Sequence, residues 1–455
     1  MEELVLMVGS TQVHLSGAGI VAPVKGCRRN QPKEVGDSFS DHGTNSWSDL
    51  REEKLDVVLH GLPTVVDDWL KMIEGLFSRV TLGEQATLNL KAAAGLASYE
   101  SKVVGGRVEL LGRGSMDLKR GGLGVSVYIQ RLNYWEGDVI AVPLSNPHGT
   151  DVTTGLVLDN QYSPASGKVN YALIAGGVIE GEIPAPATVK IKHDDLVITD
   201  WLANIVLSQD VIYNLQVGDH WIEGGNADSV WNFGAVMNSG ASGGVYGLVQ
   251  WTIPDPTQLL SWVIEDDRAA RFAGKLVQPV MRLHTAVTTD DYWMRSKVKQ
   301  GEAIEYSRWQ KLTPYSKIQI LPAVHIPPRD LQSAEMFGVV FAVEVQRNVA
   351  GTHSMAIDDI DLLPVDGFRH YFNLGDGGLS PNELLVDELG EGLIYSVGGD
   401  VTLRKLTHQA TGKGIWLVPG EDQCIRIKFD DLNGNCNPNQ HVAVQLSYRP
   451  RRKNL

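Results

Sequence analysis

Along this 455-residue chain the apolar residues fall mostly in short runs broken by Gly, Pro, Asn and Ser, with one departure. In VVDDWLKMIEGLFSRVTLG, Trp69, Leu70, Ile73, Phe77 and Val80 recur at helical spacing. That spacing predicts a helix over about 65–81, with Asp67 and Asp68 in its first turn and Gly83 able to stop it. Around the helix the period changes. Residues 54–60 (KLDVVLH), 86–90, 107–111 (RVELL) and 124–130, where Val125, Val127 and Ile129 alternate with other residues, predict strands. NYWEGD at 133–138 closes this region.

Beyond it the pattern is almost wholly short strands. Residues 156–158, 169–174, 188–191 and 205–207 are separated by turn formers, as in a sandwich or barrel. The composition shifts near residue 209. Seven of the eleven tryptophans lie from Trp201 through Trp309, and apolar runs such as VYGLVQWTI, FGVVFAVEV and MAIDDIDLLPVDGF follow one another to residue 368. This stretch predicts a jelly roll. After Tyr371 the short strands and turn formers resume, and Asn433 with Gly434 between two alternating runs predicts a hairpin.

Composition narrows the functional classes. Lys plus Arg number 40 against 54 Asp plus Glu, a formal charge of −14, which is the wrong sign for a protein that lives on nucleic-acid phosphates. With 43% hydrophobic and 21% charged residues, the chain can bury enough apolar surface to offset its conformational entropy. The opening MEELVLMVGSTQVHLSG has two acids where a secretory signal is basic, so no export signal is expected, and no apolar run is long enough to predict a membrane span. The three cysteines, Cys27, Cys424 and Cys436, are too few for a disulfide framework and are expected to be free and buried, although Cys424 and Cys436 could also face one another across a hairpin.

Candidate chemistry is sparse. Gly240 to Gly244 spells G-x-S-x-G, but a strand rather than a helix follows it, so a turn is expected and not a nucleophile elbow. Asp431, Asn433 and Asn435 open like a calcium loop but lack its glycine and its closing acid. The histidines show no zinc spacing. Three acidic doublets, Asp266–Asp267, Asp290–Asp291 and Asp358–Asp359, could supply the acid and base of glycoside hydrolysis, but in a chain with 54 acids they read first as solvated loop residues. Most tryptophans of a β-sandwich fill its core. Among Trp221, Trp231, Trp251, Trp293 and Trp309, one or two are expected at a loop surface, where an indole face can stack on a sugar ring. The basic tail of Arg449, Arg451, Arg452 and Lys453 reads as a solvated terminus.

Taken together, KLDVVLH, the linking helix, RVELL and NYWEGD followed by VPLSN resemble the ring-forming, tail-tube-like domain of the distal tail proteins of long-tailed bacteriophages. GGVIEGEIPAPATVKIKH and the closing VAVQLSYRPRRKNL fit the sandwich that follows in that family. HWIEGGNADS, SGGVYGLVQWTIP and MAIDDIDLLPVDGF resemble the first, middle and last strands of carbohydrate-binding-module jelly rolls. The resemblance implies a mainly β fold: a tail-tube-like domain with one helix at 1–137, a discontinuous lectin-like β-sandwich at 138–208 plus 366–455, and a jelly roll at 209–365 inserted into it. It implies a non-enzymatic virion protein, assembled in the host cytoplasm, that forms a homohexameric ring joining tail tube to tail tip. Its partners would be the tail tube protein, the tail-tip hub, the tape-measure protein and a host-surface glycan. No cofactor is implied except a structural calcium, which in such modules is often held by a first-strand and a last-strand acid, here Glu223 and Asp359. The acidic charge would suit a lumen through which DNA slides. The alternative is a polysaccharide-acting enzyme, or its accessory subunit, carrying a binding module.

Overall fold

Leu55, Val57 and Leu59 are buried while Asp56, Val58 and His60 are exposed, the alternation that a half-covered strand requires. In the computed structural model their strand, Leu50–His60, lies in an antiparallel sheet. From one side to the other the sheet runs Thr11–His14, Glu3–Val8, Ala86–Lys91, Tyr99–Leu110, Gly122–Leu132, Leu50–His60 and Ile20–Val21. The structure describes residues 3–16, 20–21, 34–35, 50–91, 98–111, 122–160, 169–193, 201–211, 221–223, 232–237, 241, 245–252, 257–264, 274–327, 339–347, 349–365, 368–374, 378–381, 383–398, 403–406, 410–431 and 441–453. The fold is mainly β, with one α-helix among the described residues.

That helix spans Pro63–Thr81, starting two residues earlier than the apolar spacing predicts. Pro63 takes the first helical position, where an N–H has no partner to lose. Asp67 and Asp68 therefore fall outside the first turn, and Asp67 instead pairs with Lys71 at 2.5 Å. Gly83 stops the helix as expected. At φ +96° it is left-handed, and the N–H groups of Glu84 and Gly83 donate back to the carbonyls of Arg79 and Val80 at 3.1 and 2.9 Å. Val66, Ile73, Leu76, Phe77 and Val80 are buried, and Trp69 and Leu70 pack at the edge of the same core. The Phe77 ring rests on Gly106 of Tyr99–Leu110, where an added Cβ would come within 2.2 Å of a ring carbon.

Residues 1–140, 180–184 and 449–455 form one compact unit. The C-terminal tail is not a solvated terminus. Arg451–Arg452 pairs as a short strand with Trp135–Glu136. Arg451 bonds Glu136 at 2.7 Å and lies 4.0 Å over the Tyr134 ring, Arg449 pairs with Glu100, and the Lys453 N–H donates to Glu182 at 3.0 Å. Acids of the same unit, Glu100 and Glu136 on strands and Glu182 outside them, hold the basic tail in place.

The second unit, residues 141–179 and 185–448, contains four sheets. Two are built from strands on either side of a central stretch. In one, Val442–Tyr448, Ala185–His193, Leu384–Glu388, Leu393–Val397 and Leu403–Lys405 are successive neighbours; in the other, Leu144–Asn146, Tyr171–Ile174, Gln423–Asp431, Leu202–Val211 and Phe368–Asn373. Cys424 is buried in the second and forms no disulfide among the described residues; Cys27 and Cys436 lie outside them. Asn433 and Gly434 also lie outside them, but the strands around that turn do not pair as the hairpin reading predicts. Gln423–Asp431 bonds Tyr171–Ile174 and Leu202–Val211, whereas Val442–Tyr448 bonds Ala185–His193. Gln423 through Asp430 are buried without a break, and their strand is paired along both edges within its own sheet.

The other two sheets come from the stretch between Leu202–Val211 and Phe368–Asn373. One holds Asn232–Met237, Val245–Trp251, His353–Pro364, Leu276–Leu283 and Ile318–Ile320, with Trp221–Glu223 also against His353–Pro364; the other holds Thr257–Ile264, Val339–Arg347, Tyr292–Gln300 and Ala303–Tyr306. Their facing apolar residues share one core that includes Trp251, Trp262, Met294, Phe341, Ile357 and Ile360. Asn232–Met237 and Val245–Trp251 pair antiparallel, so the G-x-S-x-G string falls in a strand-to-strand connection; Ser242 itself is outside the described residues.

Candidate functional site

Two sets of side chains in the inserted sheets depart from the ordinary rule of apolar inside, charged outside. The first is buried. Leu276–Leu283 and His353–Pro364 pair with a register shift after Arg282, so that Arg282 opposes Asp359 and Leu283 opposes Ile357, leaving Asp358 as the extra residue. A bulge of this kind breaks strict alternation and lets neighbouring residues turn to the same side. Arg282 accordingly reaches both acids, with its Nη2 2.5 Å from Asp358 and its Nε 3.1 Å from Asp359, while its Nη1 donates to the Asn160 carbonyl at 3.0 Å. Lys428, from Gln423–Asp431, pairs with Asp359 and with Asp361 at 2.7 Å. All five charged side chains are buried.

Three carboxylates face two cations in this cluster. Burial pushes the Asp359 carboxyl up to about 6, against the pull of Lys428 and Arg282. Burial alone would lower the Lys428 ammonium, but Asp359 and Asp361 more than reverse it and hold that group above its ordinary value. Beside the cluster, Asp430 accepts from Asn204 at 2.7 Å and from the Lys317 N–H at 3.2 Å, and Val206, Val280, Ile318 and Leu363 close an apolar contact. The network therefore ties inserted strands to sandwich strands. Cutting one partner of such a buried pair leaves an uncompensated charge.

This placement changes the reading of the acid pairs. Asp358 and Asp359 are interior ion-pair partners and not solvated loop residues. Asp290 pairs with Lys311 and Asp291 with Arg347, each at 2.7 Å, and Asp266 and Asp267 lie outside the described residues. Glu223 and Asp359 are direct register partners on adjacent strands, as the calcium reading needs. The oxygens of Asp359, however, are already engaged by two cationic side chains. Among the described residues no group of three or more His, Cys, Asp or Glu side chains could hold a metal ion.

The second set is the outer face of Tyr292–Gln300. Tyr292, Met294, Ser296 and Val298 turn inward, leaving Trp293, Arg295, Lys297 and Lys299 on the other side. Trp293 is 37% exposed. The Arg295 guanidinium lies 4.1 Å from the Tyr306 ring centre and 4.6 Å from that of Trp309, and it is held by Glu344 at 2.7 Å. Lys297 reaches Gln258 at 3.2 Å. One fixed guanidinium thus sets the orientation of two aromatic rings beside a third. Rings held this way can stack on the apolar face of a sugar, with flanking amides and charges available to its hydroxyls.

Of the tryptophans expected at a surface, Trp293 and Trp309 share this face. Trp251 does not: at 2% exposure it fills the core, edge-on to Tyr292 and His353. Trp221 starts the strand paired with His353–Pro364, and Trp231 lies outside the described residues. Sequence reasoning missed Arg295, Tyr306 and Glu344. The alternation W-M-R-S-K-V-K, with all its charged residues on one parity, is the signal that could have found them.

No family model matches the chain, and no curated protein matches it significantly. Among solved structures it is similar to the SPP1 Dit (gp 19.1) protein, described as a paradigm of hub adsorption apparatus in phages infecting Gram-positive bacteria. That match has 8% identity and a TM-score of 0.32, covering 98% of each chain. It is also similar to a chain of the phage P2 baseplate in its activated conformation with calcium, at 8% identity and TM-score 0.22 over 77% of this chain and 100% of that one. A third similarity, at 8% identity and TM-score 0.17, is to the infectious bursal disease virus VP2 subviral particle, over 69% of this chain and 80% of that one. Overlap at these scores is loose.

Proposed function

We propose that this chain is a structural component of a bacteriophage tail, a distal-tail-type subunit that forms a ring at the tail tip and presents its inserted module outward toward host-surface glycan. The carrying observation is an apolar surface on the unit that the sequence resemblance assigns to ring formation. Leu62, Val65 and Met72 are exposed along one flank of the helix beside its core-facing stripe, and Leu82 is 87% exposed just past its end. Exposed apolar residues grouped along one element mark a surface that another chain covers. In a homo-oligomer with closed symmetry, a copy of the same unit meets this need.

In this reading the tail tube protein, the tail-tip hub and the tape-measure protein are the other neighbours, and the protein is carried in the virion after assembly in the host cytoplasm. The enzyme alternative gains nothing from the acid pairs, whose described members serve as ion-pair partners. The test is assembly. Purified protein should form closed rings by electron microscopy and mass photometry, and Val65→Glu with Met72→Glu should reduce them to single subunits while leaving the unfolding temperature within a few degrees. A chain that stays monomeric at high concentration and co-assembles with no tail component overturns the proposal.

A further inference from the structure

We infer that the outer face of Tyr292–Gln300 and its neighbours binds a linear glycan whose sugar rings carry carboxylates, a uronic-acid polymer. The inference rests on reading the inserted module as a ligand-bearing element, and it adds the chemical class of the ligand. Two features of the face argue for it together. The first is aromatic: Trp293 stands two residues before Arg295 on the same strand face, Arg295 lies against the Trp309 and Tyr306 rings, and the exposed Ile304 is two residues from Tyr306 on the paired strand. Such a row is matched by a ligand with a ring in every repeat, because acyclic links would leave parts of it uncovered.

The second feature is charge. Arg295, Lys297, Lys299 and Lys311 lie on this face against Glu344 and Asp290, a local excess of cations on a chain whose net charge is −14. Lys299 is exposed and has no acidic partner among the described residues. A neutral sugar stacked on Trp293 needs none of these ammonium groups. A uronate holds its charge on the ring itself, so a ring seated on Tyr306, the register partner of Lys297, brings its carboxylate toward Lys297 and toward Lys299, about 6.6 Å further along the strand. Charge complementarity of this kind sets specificity and the rate of encounter, and it weakens with salt.

The experiment is calorimetric titration of the full chain with polygalacturonate and with the same polymer as its neutral methyl ester. The acid form is expected to bind about tenfold more tightly at low salt, and Lys299→Gln should weaken the acid form alone by severalfold. Trp293→Ala should weaken both. Both variants change exposed side chains, so unchanged unfolding temperatures will certify the fold. Equal binding of the two polymers overturns the inference while leaving a neutral-glycan face standing. Binding of inorganic polyphosphate as tightly as polygalacturonate, insensitive to Trp293→Ala, also overturns it, and so does an absence of binding. Ring assembly is scored separately on the same preparation, so loss of the glycan result and loss of the tail-ring reading remain distinguishable.

Discussion

At the scale of single residues, two positions carry consequences out of proportion to their size. Gly106 is required not by its backbone angle but by the Phe77 ring lying against it. Gly106→Ala should destabilise the protein by roughly 1–3 kcal/mol, the usual cost of overfilling a packed site. Adding Phe77→Leu should recover part of that loss, which a double-mutant cycle by urea unfolding will read as coupling. Asp359 is the second position. Its folded carboxyl titrates at about 6, whereas an unfolded Asp titrates near 3.9, so the folded state holds the proton more tightly. The stability this adds is complete below about pH 4 and is lost as pH rises through 6. In paired urea titrations the advantage of wild type over Asp359→Asn should therefore shrink by on the order of 2 kcal/mol between pH 4.5 and 7. A difference that does not change with pH would contradict the cluster's excess of carboxylates.

At the scale of elements, legibility follows the range of the forces involved. The helix could be read because its stop and its apolar stripe are local: Gly83 closes the turn it terminates, and Ile73, Phe77 and Val80 are a turn apart. The strand at Leu50–His60 could be read because alternation is also local. The Asn-Gly hairpin misled for the complementary reason. A turn signal fixes where the chain bends, but the pairing of Gln423–Asp431 and Val442–Tyr448 is set by strands over two hundred residues away. The buried acids were hidden in the same way, since Arg282 and Lys428 lie 76 and 69 residues from their partners. The tail belongs here too. Removing residues 449–455 takes one of two strand partners from Trp135–Glu136 and the cations from Glu100 and Glu136. Hydrogen exchange should speed up at Trp135, Glu136 and Glu100 and stay unchanged in the inserted sheets. Unaltered exchange throughout the first unit would show that the tail contributes nothing to it.

At the scale of the whole molecule, the mainly β class was visible in the abundance of turn formers and short apolar runs. The composition of the inserted stretch was visible in its tryptophans, although one of those named, Trp251, serves the core. What stayed hidden was how the insertion is secured. The chain leaves the sandwich at the end of Leu202–Val211 and returns at Phe368, which is paired with Ser208. Neighbouring exit and return points are the arrangement in which a stretch of chain can be lengthened or replaced without breaking the pairing of the strands that flank it. Lys428 limits that freedom. It belongs to the strand Gln423–Asp431, is buried, and pairs with Asp359 and Asp361 of the inserted stretch. A replacement stretch without acids at those places would take both of these counter-charges from a buried cation, so descent should keep the three residues together or change them together.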